Sequence, residues 1–328
     1  MSIESAETGH QEGDGETHVP KVIGRFAPSP TGALHLGNLR TALIAWLSAR
    51  SQGGGFIVRM EDLDQATADP VAAERQLADL AALGLDWDGE VVYQSTRFVR
   101  YDDAIRVLAV RGLVYECFCS RRQVREQIEA AVTAPHGPPG AYPGTCRDLD
   151  DDARSARRAT GRPAAQRLRT DGQVIAFHER TGERAEGGVD DFVLRRNDGT
   201  PSYNVAVVVD DEVQGVTEVV RGDDLQASTP RQVLLQHLLG YRTPTYLHVP
   251  LVFGDDGERL AKRHGAVTLD DLRGDGVEPA SIVTWMARTL GLAAPGERVS
   301  TDTLVGRFDP TVLPTEPHTF RHSHQLWQ

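Results

Sequence analysis

The segment PSPTGALHLGN (28–38) lies between a short apolar run and a stretch with helical spacing. The run KVIGRFAPSP (21–30) predicts a strand that stops at prolines, and LGNLRTALIAWLSARSQ (36–52) has the apolar spacing of a helix. In an open α/β sheet, ligands bind at the carboxyl ends of the strands. A helix that begins at that edge offers free backbone N–H groups to phosphates. The segment therefore predicts a phosphate site, with a plain turn and helix start as the alternative.

Two glycines and a histidine in this segment suit a nucleotide. Gly32 and Gly37 would let a nucleotide approach the backbone, because glycine has no side chain to block it. His35 can donate a hydrogen bond to a phosphate oxygen. The chain contains no GxxxxGK[ST] motif, which excludes a P-loop nucleotide site.

Strand-like and helix-like runs alternate outward from this segment, which predicts an α/β fold with a parallel sheet covered on both faces. The other predicted strands are GGGFIVRMED (53–62), VIAFHE (174–179), DDFVLRR (190–196), two β-rich runs in NVAVVVDDEVQGVTEVVRGDDL (204–225) and TYLHVPLVF (245–253). The other predicted helices cover 70–83, 97–111, 229–240 and 281–292, the third of them capped by Thr229 and closed by Gly240.

The regular pattern loosens over residues 115–169, which indicates an insertion. This stretch holds the three cysteines of the chain, Cys117, Cys119 and Cys146. Three thiolates are one ligand short of a tetrahedral zinc site. His136 and Tyr142 are the nearby candidates for the fourth ligand, and bare chemistry favours the histidine because it is the commoner zinc ligand. The alternative is three buried thiols without a metal.

A second polar segment, GDDGERLAKRHGA (254–266), follows the last predicted strand. Its Lys262 and Arg263 lie on a glycine-flanked loop that can close over a triphosphate and offset the charge of departing pyrophosphate. Taken alone, the segment is better explained as a solvated basic loop.

Together the two segments resemble the paired signatures of the class I aminoacyl-tRNA synthetases. His35-Leu36-Gly37-Asn38 is similar to their HIGH signature, and RLAKR (259–263) to their KMSKS loop, although alanine stands at position 261 where serine is more common. The resemblance is closest to the glutamyl subgroup, and it extends over residues 21–292. The motifs that carry it are RFAPSPTGALHLGNLRTAL (25–43), RMEDLD (59–64), the whole of 190–225 and TPRQVLL (229–235).

This resemblance implies a Rossmann-like nucleotide-binding sheet of the class I type and a defined set of site residues. ATP, accompanied by Mg²⁺, would bind His35, Gly37, Asn38 and Lys262. His35 and Lys262 would be the catalytic residues, with the lysine stabilising the leaving pyrophosphate. L-glutamate would bind Arg25, Phe26, Ala27, Pro28, Ser29, Glu61, Tyr203 and Arg221.

The chemistry of these side chains agrees with a dicarboxylate substrate. Arg25 and Arg221 are permanent cations that can hold carboxylates bidentately. Glu61 suits an α-ammonium group, and Tyr203 offers a hydroxyl and a flat apolar wall. The structural alternative is that the two arginines pair with the aspartates at 223–224 and that the tyrosine is a core aromatic.

Within the glutamyl subgroup, two features resemble the shorter glutamyl-queuosine tRNA(Asp) synthetases. Few residues follow Leu292, so we expect a short helical C-terminal part and no anticodon-binding domain. The spacing of Cys117, Cys119, Tyr142 and Cys146 resembles the zinc site of these enzymes. The resemblance therefore implies one structural Zn²⁺ per chain, with the tyrosine as fourth ligand.

The same resemblance implies an activity. The enzyme would activate L-glutamate with ATP without needing tRNA, and would then transfer glutamate to the queuosine base at the wobble position of tRNA(Asp). One alternative is a truncated glutamyl-tRNA synthetase that charges a tRNA 3′ end. Another is a non-catalytic RNA-binding paralogue, which is disfavoured because the catalytic and glutamate-site positions are all retained together.

Bulk composition limits the remaining possibilities. The 328 residues carry a net charge of -12, which argues against a broad, sequence-blind grip on RNA. The arginine-rich stretch 152–169 is better explained as a solvated helix face. No apolar run could span a membrane, no signal peptide is present, and the odd number of cysteines favours the cytoplasm. We expect a monomer built from a disordered acidic tail (1–20), two halves of a nucleotide-binding domain (21–114 and 190–270), a zinc-containing insertion between them (115–189) and a helical C-terminal part (271–328).

Overall fold

The structure is a computed structural model that describes residues 22–130, 141–260, 264–265, 267–321 and 327. Lys262 and His136 lie outside the described residues, as does the acidic segment 1–20. The strands are β1 (Ile23–Phe26), β2 (Gly55–Met60), β3 (Val92–Tyr93), β4 (Val114–Cys117), β5 (Ala165–Leu168), β6 (Val174–His178), β7 (Arg184–Gly188), β8 (Val193–Arg195), β9 (Glu218–Gly222), β10 (Thr245–Val249), β11 (Val252–Phe253) and β12 (His318–Thr319). The helices are α1 (Leu36–Arg50), α2 (Pro70–Ala82), α3 (Phe98–Val110), α4 (Arg121–Ala130), α5 (Asp151–Ala159), α6 (Tyr203–Val213), α7 (Thr229–Leu239), α8 (Leu269–Gly274), α9 (Pro279–Thr289) and α10 (Thr301–Val305).

Parallel strand pairs form the centre of the fold, and the α/β class predicted from the sequence is confirmed. β1 pairs with β2, β2 pairs with β3, and β9 pairs with β10, all in parallel. β9 lies beside β1, where the backbone N–H of Thr217 donates to the carbonyl oxygen of Ile23 at 2.9 Å. Because these strands run in one direction, the carboxyl ends of β1, β2 and β9 meet at the same edge.

Helix α1 is buried along most of its length and lies against the parallel strands β1, β2 and β9. Its apolar residues point in all directions, as expected of a helix that is covered on every side. Leu39 and Leu43 share one core cluster with Trp285 of α9. A side chain on Gly24 of β1 would approach Ala49 to 3.0 Å, so the glycine permits the close contact between strand and helix.

The chain between α3 and α6 is mostly antiparallel. β4, β5 and β8 form one sheet, and β6 and β7 form a separate hairpin. A small apolar cluster holds Cys117 and Cys146 together with Tyr142. Helix α5, which carries part of the arginine-rich stretch, has no buried residue, as a solvated helix face requires.

The prediction of two β-rich runs in 204–225 is wrong for the first run, which is helix α6; the second run is strand β9. The valines from Val205 to Val209 are buried in a cluster that α6 shares with α3 and α7. A continuous apolar run lacks the alternation that would distinguish a half-exposed strand from a buried helix. Here burial on both sides overrides the β-propensity of valine.

Two local predictions about α7 and the following strand also differ from the structure. Thr229 is not the cap of α7: Ser228 holds that position, and its side chain makes no capping hydrogen bond. The hydroxyl of Thr229 instead accepts a hydrogen bond from Nη2 of Arg221 at 2.8 Å. The predicted final strand is interrupted at Pro250, which has no N–H to donate, and so divides into β10 and β11.

The C-terminal part folds back onto the sheet. β12 pairs in parallel with β11, and Phe320 and Trp327 pack on Trp285 with ring centroids 5.5 and 5.9 Å apart. These aromatic contacts hold the end of the described chain against α9. None of the helices in the described ranges has both the length and the apolar character to cross a bilayer.

Candidate active site

A cavity of about 740 Å³ opens at the edge where β1, β2 and β9 end. Its walls come from the ends of these strands, the loop 27–35, the start of α1 and the first residue of α6. The structure brings together every described residue of the expected glutamate and ATP sites. These are Arg25, Phe26, Ala27, Pro28, Ser29, His35, Gly37, Asn38, Glu61, Tyr203 and Arg221.

Arg221 in β9 is a buried cation of the cavity that neighbouring side chains hold in place. Only 4% of its surface is exposed. Its Nη1 donates to Oε1 of Gln232 at 2.8 Å, and its Nη2 donates to the hydroxyl of Thr229 at 2.8 Å. Its Nε donates to Nε2 of His248 at 3.2 Å, and the hydroxyl of Tyr203 lies 3.4 Å from Nη1. In the described part of the chain, all of these hydrogen-bond partners are neutral. The guanidinium is thus fixed in place without losing its attraction for an anion.

Arg25 provides a second buried cation at the end of β1. Its Nη1 donates to the carbonyl oxygen of Val220 at 2.9 Å, and its Nε lies 3.7 Å from a carboxylate oxygen of Asp211. The ion-pair alternative with the aspartates at 223–224 is not what the structure shows for Arg25 or Arg221. Asp224 pairs instead with Arg259, at 2.7 Å.

Glu61 follows β2 and faces the same cavity with 11% of its side chain exposed. Burial raises the pKa of Glu61 to about 7, while Arg59 and Arg25 act in the opposite direction. Nη2 of Arg59 lies 3.6 Å from Oε1 of Glu61. A carboxylate that is partly protonated near neutral pH gains by binding a cation, so this position suits an ammonium group.

Tyr203 is the first residue of α6, and it lines two cavities. Burial raises the pKa of its hydroxyl, and Glu61 adds to this effect, so the hydroxyl stays protonated and can donate to a ligand. The second cavity, also about 740 Å³, shares Ser29, Glu61 and Tyr203 with the first. Four further lining residues of this second cavity are cationic, namely Arg121, Arg162, Arg167 and Arg196.

His35 caps α1 and lines the cavity. Its Nδ1 accepts a hydrogen bond from the backbone N–H of Asn38, whose side chain accepts from the backbone N–H of His35. Burial, together with a smaller effect of Arg259, lowers the pKa of His35 to about 4. The imidazole is therefore neutral at pH 7, with Nε2 as its N–H donor. A side chain on Gly37 would lie 3.0 Å from this ring, so glycine leaves the imidazole its space.

Sequence reasoning missed several residues that hold the site in shape. Gln76 of α2 donates to the carbonyl oxygens of Ser29 and Gly32, at 3.1 and 2.7 Å, and so fixes the loop before α1. Arg59 is fully buried and donates to Asp211 at 2.8 Å. Arg59 could have been found from the sequence, because it is the single arginine in the otherwise apolar strand GFIVRM.

The three cysteines converge at the edge of the insertion. Their Sγ atoms all lie within 4.8 Å of one another, and those of Cys119 and Cys146 are 3.6 Å apart. The hydroxyl of Tyr142 lies 3.4 Å from the Sγ of Cys117 and 3.6 Å from that of Cys119. Burial raises the pKa of Cys119 to about 11, and the two neighbouring sulfur atoms add to this effect. A bound cation would relieve this repulsion between crowded thiolates.

Comparisons with known proteins place these features in a family. Residues 21–325 match the family described as tRNA synthetases class I (E and Q), catalytic domain. The chain is 56% identical to the glutamyl-Q tRNA(Asp) synthetase of Nocardia farcinica over 294 residues, which cover 90% of this chain and 91% of that relative. It is 47% identical to the enzyme of the same name from Symbiobacterium thermophilum, covering 90% of this chain and 95% of the relative.

Glutamate–tRNA ligases are more distant and longer. The ligase of Oleidesulfovibrio alaskensis is 41% identical, and the alignment covers 94% of this chain but 65% of the ligase. Among solved structures, a glutamate tRNA ligase of Elizabethkingia meningosepticum in complex with its amino acid superposes with a TM-score of 0.80 at 26% identity. That superposition covers 94% of this chain and 68% of the ligase.

Proposed function

The chain belongs to the class I tRNA synthetase family for glutamate and glutamine, and we therefore propose that it activates L-glutamate with ATP and transfers it to the queuosine base at the wobble position of tRNA(Asp). The observation that carries the glutamate assignment is the cation of Arg221, buried among neutral partners and facing a cavity that also holds Arg25 and Glu61. The high identity to relatives named glutamyl-Q tRNA(Asp) synthetase supports the RNA substrate.

In the proposed glutamate site, Arg221 and the hydroxyl of Tyr203 bind the γ-carboxylate, and Glu61 binds the α-ammonium. Arg25 lies on the β1 side and offsets the remaining negative charge. The segment Phe26–Ser29 closes the wall of the cavity. This arrangement uses charge-assisted hydrogen bonds, which are the strong ones in a partly desolvated site.

In the proposed ATP site, the N-terminus of α1 receives the phosphates, with His35, Gly37 and Asn38 nearest to them. Lys262, which lies outside the described residues, contributes its ammonium group. Mg²⁺ accompanies the nucleotide. An oxygen of the α-carboxylate attacks the α-phosphorus, the bond from that phosphorus to the bridging oxygen breaks, and pyrophosphate leaves. The N–H at Nε2 of His35 and the ammonium of Lys262 stabilise the charge that develops during this step.

The second cavity gives the RNA a route to the activated glutamate. It meets the first cavity at Tyr203, and its arginines 121, 162, 167 and 196 supply local positive charge in a chain whose net charge is -12. A nucleophile on the base attacks the glutamyl carbonyl carbon from this side, and AMP leaves. A local basic wall is enough to hold a few phosphates of a loop.

The decisive experiment is ATP–pyrophosphate exchange with glutamate as the only amino acid, with and without tRNA. Exchange without tRNA supports the proposal, whereas exchange that requires tRNA points to a truncated glutamyl-tRNA synthetase. Periodate treatment of the glutamylated RNA then identifies the linkage, because a 3′-terminal ester protects the ribose diol and a base-linked glutamate leaves it open. No exchange under either condition would leave a non-catalytic RNA-binding paralogue.

We propose in addition that the insertion, residues 115–189, binds one structural Zn²⁺ through Cys117, Cys119, Tyr142 and Cys146. Tetrahedral zinc at about 2.3 Å from each sulfur would separate the sulfurs by about 3.8 Å, close to the 3.6 Å between Cys119 and Cys146. The metal would cross-link the insertion and would take no part in the reaction. The remaining domain boundaries, the monomeric state and a cytoplasmic location stay predictions.

Elemental analysis of protein purified without chelator tests the zinc site. We expect about one zinc per chain in the wild type and a loss of stoichiometric zinc in Cys146→Ser, with a lower melting temperature, because a structural metal contributes directly to folding. Tyr142→Phe and His136→Ala identify the fourth ligand, and we expect only the tyrosine variant to weaken zinc retention. Absence of zinc in the wild type would contradict the site.

A further inference from the structure

A buried histidine, His248 of β10, connects Arg221 to a carboxylate outside the cavity. Nε of Arg221 donates to Nε2 of His248 at 3.2 Å, and Nδ1 of His248 lies 2.6 Å from Oε1 of Glu179. Only 2% of the histidine side chain and 6% of the glutamate side chain are exposed. The three side chains therefore form a continuous buried chain of hydrogen bonds that ends at the candidate glutamate site.

The hydrogen-bond directions in this chain leave one tautomer for the histidine. The guanidinium of Arg221 has only donors, so Nε2 of His248 must accept. The hydroxyl of Thr229 accepts from Nη2 of Arg221 and lies 3.1 Å from the same Nε2, whose single lone pair receives the Nε–H of Arg221. Nδ1 therefore carries the imidazole proton and donates it to Glu179. The ring is neutral, with the orientation that the carboxylate imposes.

Glu179 is itself held firmly, by residues of β10 and of the segment that follows β9. It follows strand β6, and its Oε2 accepts from the backbone N–H of His248 at 3.1 Å. Nε2 of Gln226 lies 3.3 Å from its Oε1. The backbone N–H of the next residue, Arg180, donates to the carbonyl oxygen of Tyr246 at 2.7 Å, which ties the hairpin to β10. The carboxylate thus has little freedom to turn away from the imidazole.

We propose that Glu179 and His248 are positioning residues that fix the guanidinium of Arg221 for a γ-carboxylate and so set the selectivity for glutamate over glutamine. Arg221 has five N–H donors, of which three are taken by Gln232, Thr229 and His248, and a fourth faces the hydroxyl of Tyr203 at 3.4 Å. The direction of the one remaining donor, on Nη2, is then set by the partners of the other four. A cation that cannot rotate rewards a carboxylate more than an amide, whose NH₂ group would meet donors with donors.

The neutral ring also keeps a carboxylate away from the cation. If Glu179 contacted Arg221 directly, it would compete with the substrate for the same N–H groups. With the imidazole between them, the carboxylate of Glu179 orients the arginine through the ring and leaves its positive charge available to a ligand. The same geometry explains why the histidine, and not the glutamate, is the immediate neighbour of Arg221.

The inference rests on the proposed function, and Glu179→Gln is the sharpest test of it. The variant keeps the shape of the side chain, but its NH₂ group can donate to Nδ1. The imidazole proton is then on Nε2, where this N–H faces the N–H groups of Arg221. In ATP–pyrophosphate exchange we expect the KM for glutamate to rise about 10- to 100-fold, with the KM for ATP changed less than about twofold, as expected for the loss of one to two charge-assisted hydrogen bonds. The ratio of kcat/KM for glutamate over glutamine should fall by about tenfold or more. Glu186→Gln, on the exposed face of the same hairpin, is the matched control.

Two histidine variants keep the test decisive if Glu179→Gln folds poorly. In His248→Gln a carbonyl oxygen can replace Nε2 as the acceptor for Arg221, whereas in His248→Asn the amide replaces only the Nδ1 side. We expect the glutamine variant to retain clearly more selectivity for glutamate than the asparagine variant. Equal selectivity in the two, or a KM for ATP that rises with the KM for glutamate, would overturn the positioning role.

The failure of this inference is distinguishable from the failure of the proposed function. Wild-type protein without any glutamate-dependent exchange would remove the proposed function and the positioning role with it. Wild-type protein with normal exchange, together with an unchanged KM and selectivity in Glu179→Gln, would overturn the positioning role alone. A fall in melting temperature without a change in selectivity would give Glu179 a purely structural role and so also overturn it.

Discussion

Arg221 shows how a buried positive charge can be held in place and still be available to a ligand. Removing a guanidinium from water is costly unless an anion replaces the lost solvation. The described partners of Arg221 are neutral, and they orient the group without cancelling its charge. This cost is recovered when an anion enters the cavity, which is why the residue is the strongest single indicator of a carboxylate substrate.

At this scale the first prediction is for Arg221→Lys. Lysine keeps the charge but cannot reproduce the fork that contacts Gln232, Thr229 and His248. We expect the KM for glutamate to rise about 10- to 100-fold, since bidentate and charge-assisted hydrogen bonds are lost, with the KM for ATP little changed. Steady-state pyrophosphate exchange measures both constants. Arg184→Lys on the exposed hairpin is the control, and equal effects of the two substitutions would refute the assignment.

The second residue-scale prediction concerns pH. Burial raises the pKa of Glu61 to about 7, and binding of the α-ammonium requires the ionised form. The fraction of ionised Glu61 in the free enzyme falls as the pH drops below 7, so kcat/KM for glutamate should fall about tenfold for each further pH unit. The pKa of His35, at about 4, lies too low to produce this limb.

The pH profile is measured from pH 5 to 8 by pyrophosphate exchange at low glutamate concentration. In Glu61→Gln the activity should be low throughout and independent of pH over this range. A wild-type profile that stays flat down to pH 5 would speak against Glu61 as the group that binds the ammonium.

At the scale of elements, the side chain that caps the N-terminus of α1 is also the one proposed to stabilise charge in the reaction. His35 caps the helix through Nδ1, and the same hydrogen bond leaves Nε2–H to face the cavity. The reciprocal hydrogen bond from the backbone N–H of His35 to the side chain of Asn38 completes a capping box. A change at residue 35 therefore alters helix stability and activity together, unless the replacement can still cap.

The prediction for this element uses two replacements. Asparagine is a good cap, so His35→Asn should keep the free energy of unfolding within about 0.5 kcal/mol of the wild type, while His35→Ala should lose about 1 kcal/mol. Both should lower kcat for glutamate activation about 100-fold, since each removes one donor to the developing charge. Urea unfolding and single-turnover kinetics separate the two effects. Wild-type turnover in His35→Asn would show that residue 35 acts only as a cap.

Helix α6 illustrates what decides an element when its local pattern is ambiguous. Its valines favour a strand by propensity, but α3 and α7 cover the helix and bury Val205 and Val208. The helical form also places Asp210 and Asp211 where they meet buried cations, with Arg97 2.6 Å from Asp210 and Arg59 2.8 Å from Asp211. A strand would send these two adjacent carboxylates to opposite faces.

At the scale of the whole molecule, Arg40 of α1 joins the C-terminal part to the sheet. Its Nε donates to the hydroxyl of Thr289, and its Nη1 donates to the carbonyl oxygen of Pro250, at 3.0 and 2.9 Å. Burial lowers the pKa of Arg40 to about 10, so the side chain stays charged at neutral pH. One buried cation thus connects α1, the end of α9 and the turn that leads to β11.

Arg40→Ala should lower the free energy of unfolding by about 3 kcal/mol, because it leaves buried acceptors without donors and opens a cavity. Arg50→Ala on the same helix is the control. Its partners Asp86 and Asp88 are 71% and 53% exposed, so its loss should cost about 1 kcal/mol or less. Urea unfolding measures both, and similar losses in the two variants would contradict the joining role of Arg40.

Short-range patterns in the sequence were sufficient to locate the strand, loop and helix start at 21–52 and the acidic end of the second strand. They were sufficient because apolar spacing, prolines and caps act within a few residues. The resemblance to the glutamyl subgroup implies Arg25, Glu61, His35 and Tyr203 as site positions, and the structure gathers them around one cavity. Their individual roles in binding stay predictions.

Only the tertiary structure decided what surrounds these positions. His248 and Gln232 reach Arg221 from a neighbouring strand and a helix, Glu179 reaches His248 from a hairpin, and no local pattern joins them. Likewise, α6 is a helix only because other helices cover it on both sides. The physical reason is one of range: propensity and periodicity are set by neighbours along the chain, whereas desolvation, ion pairing and the tautomer of a histidine are set by neighbours in space.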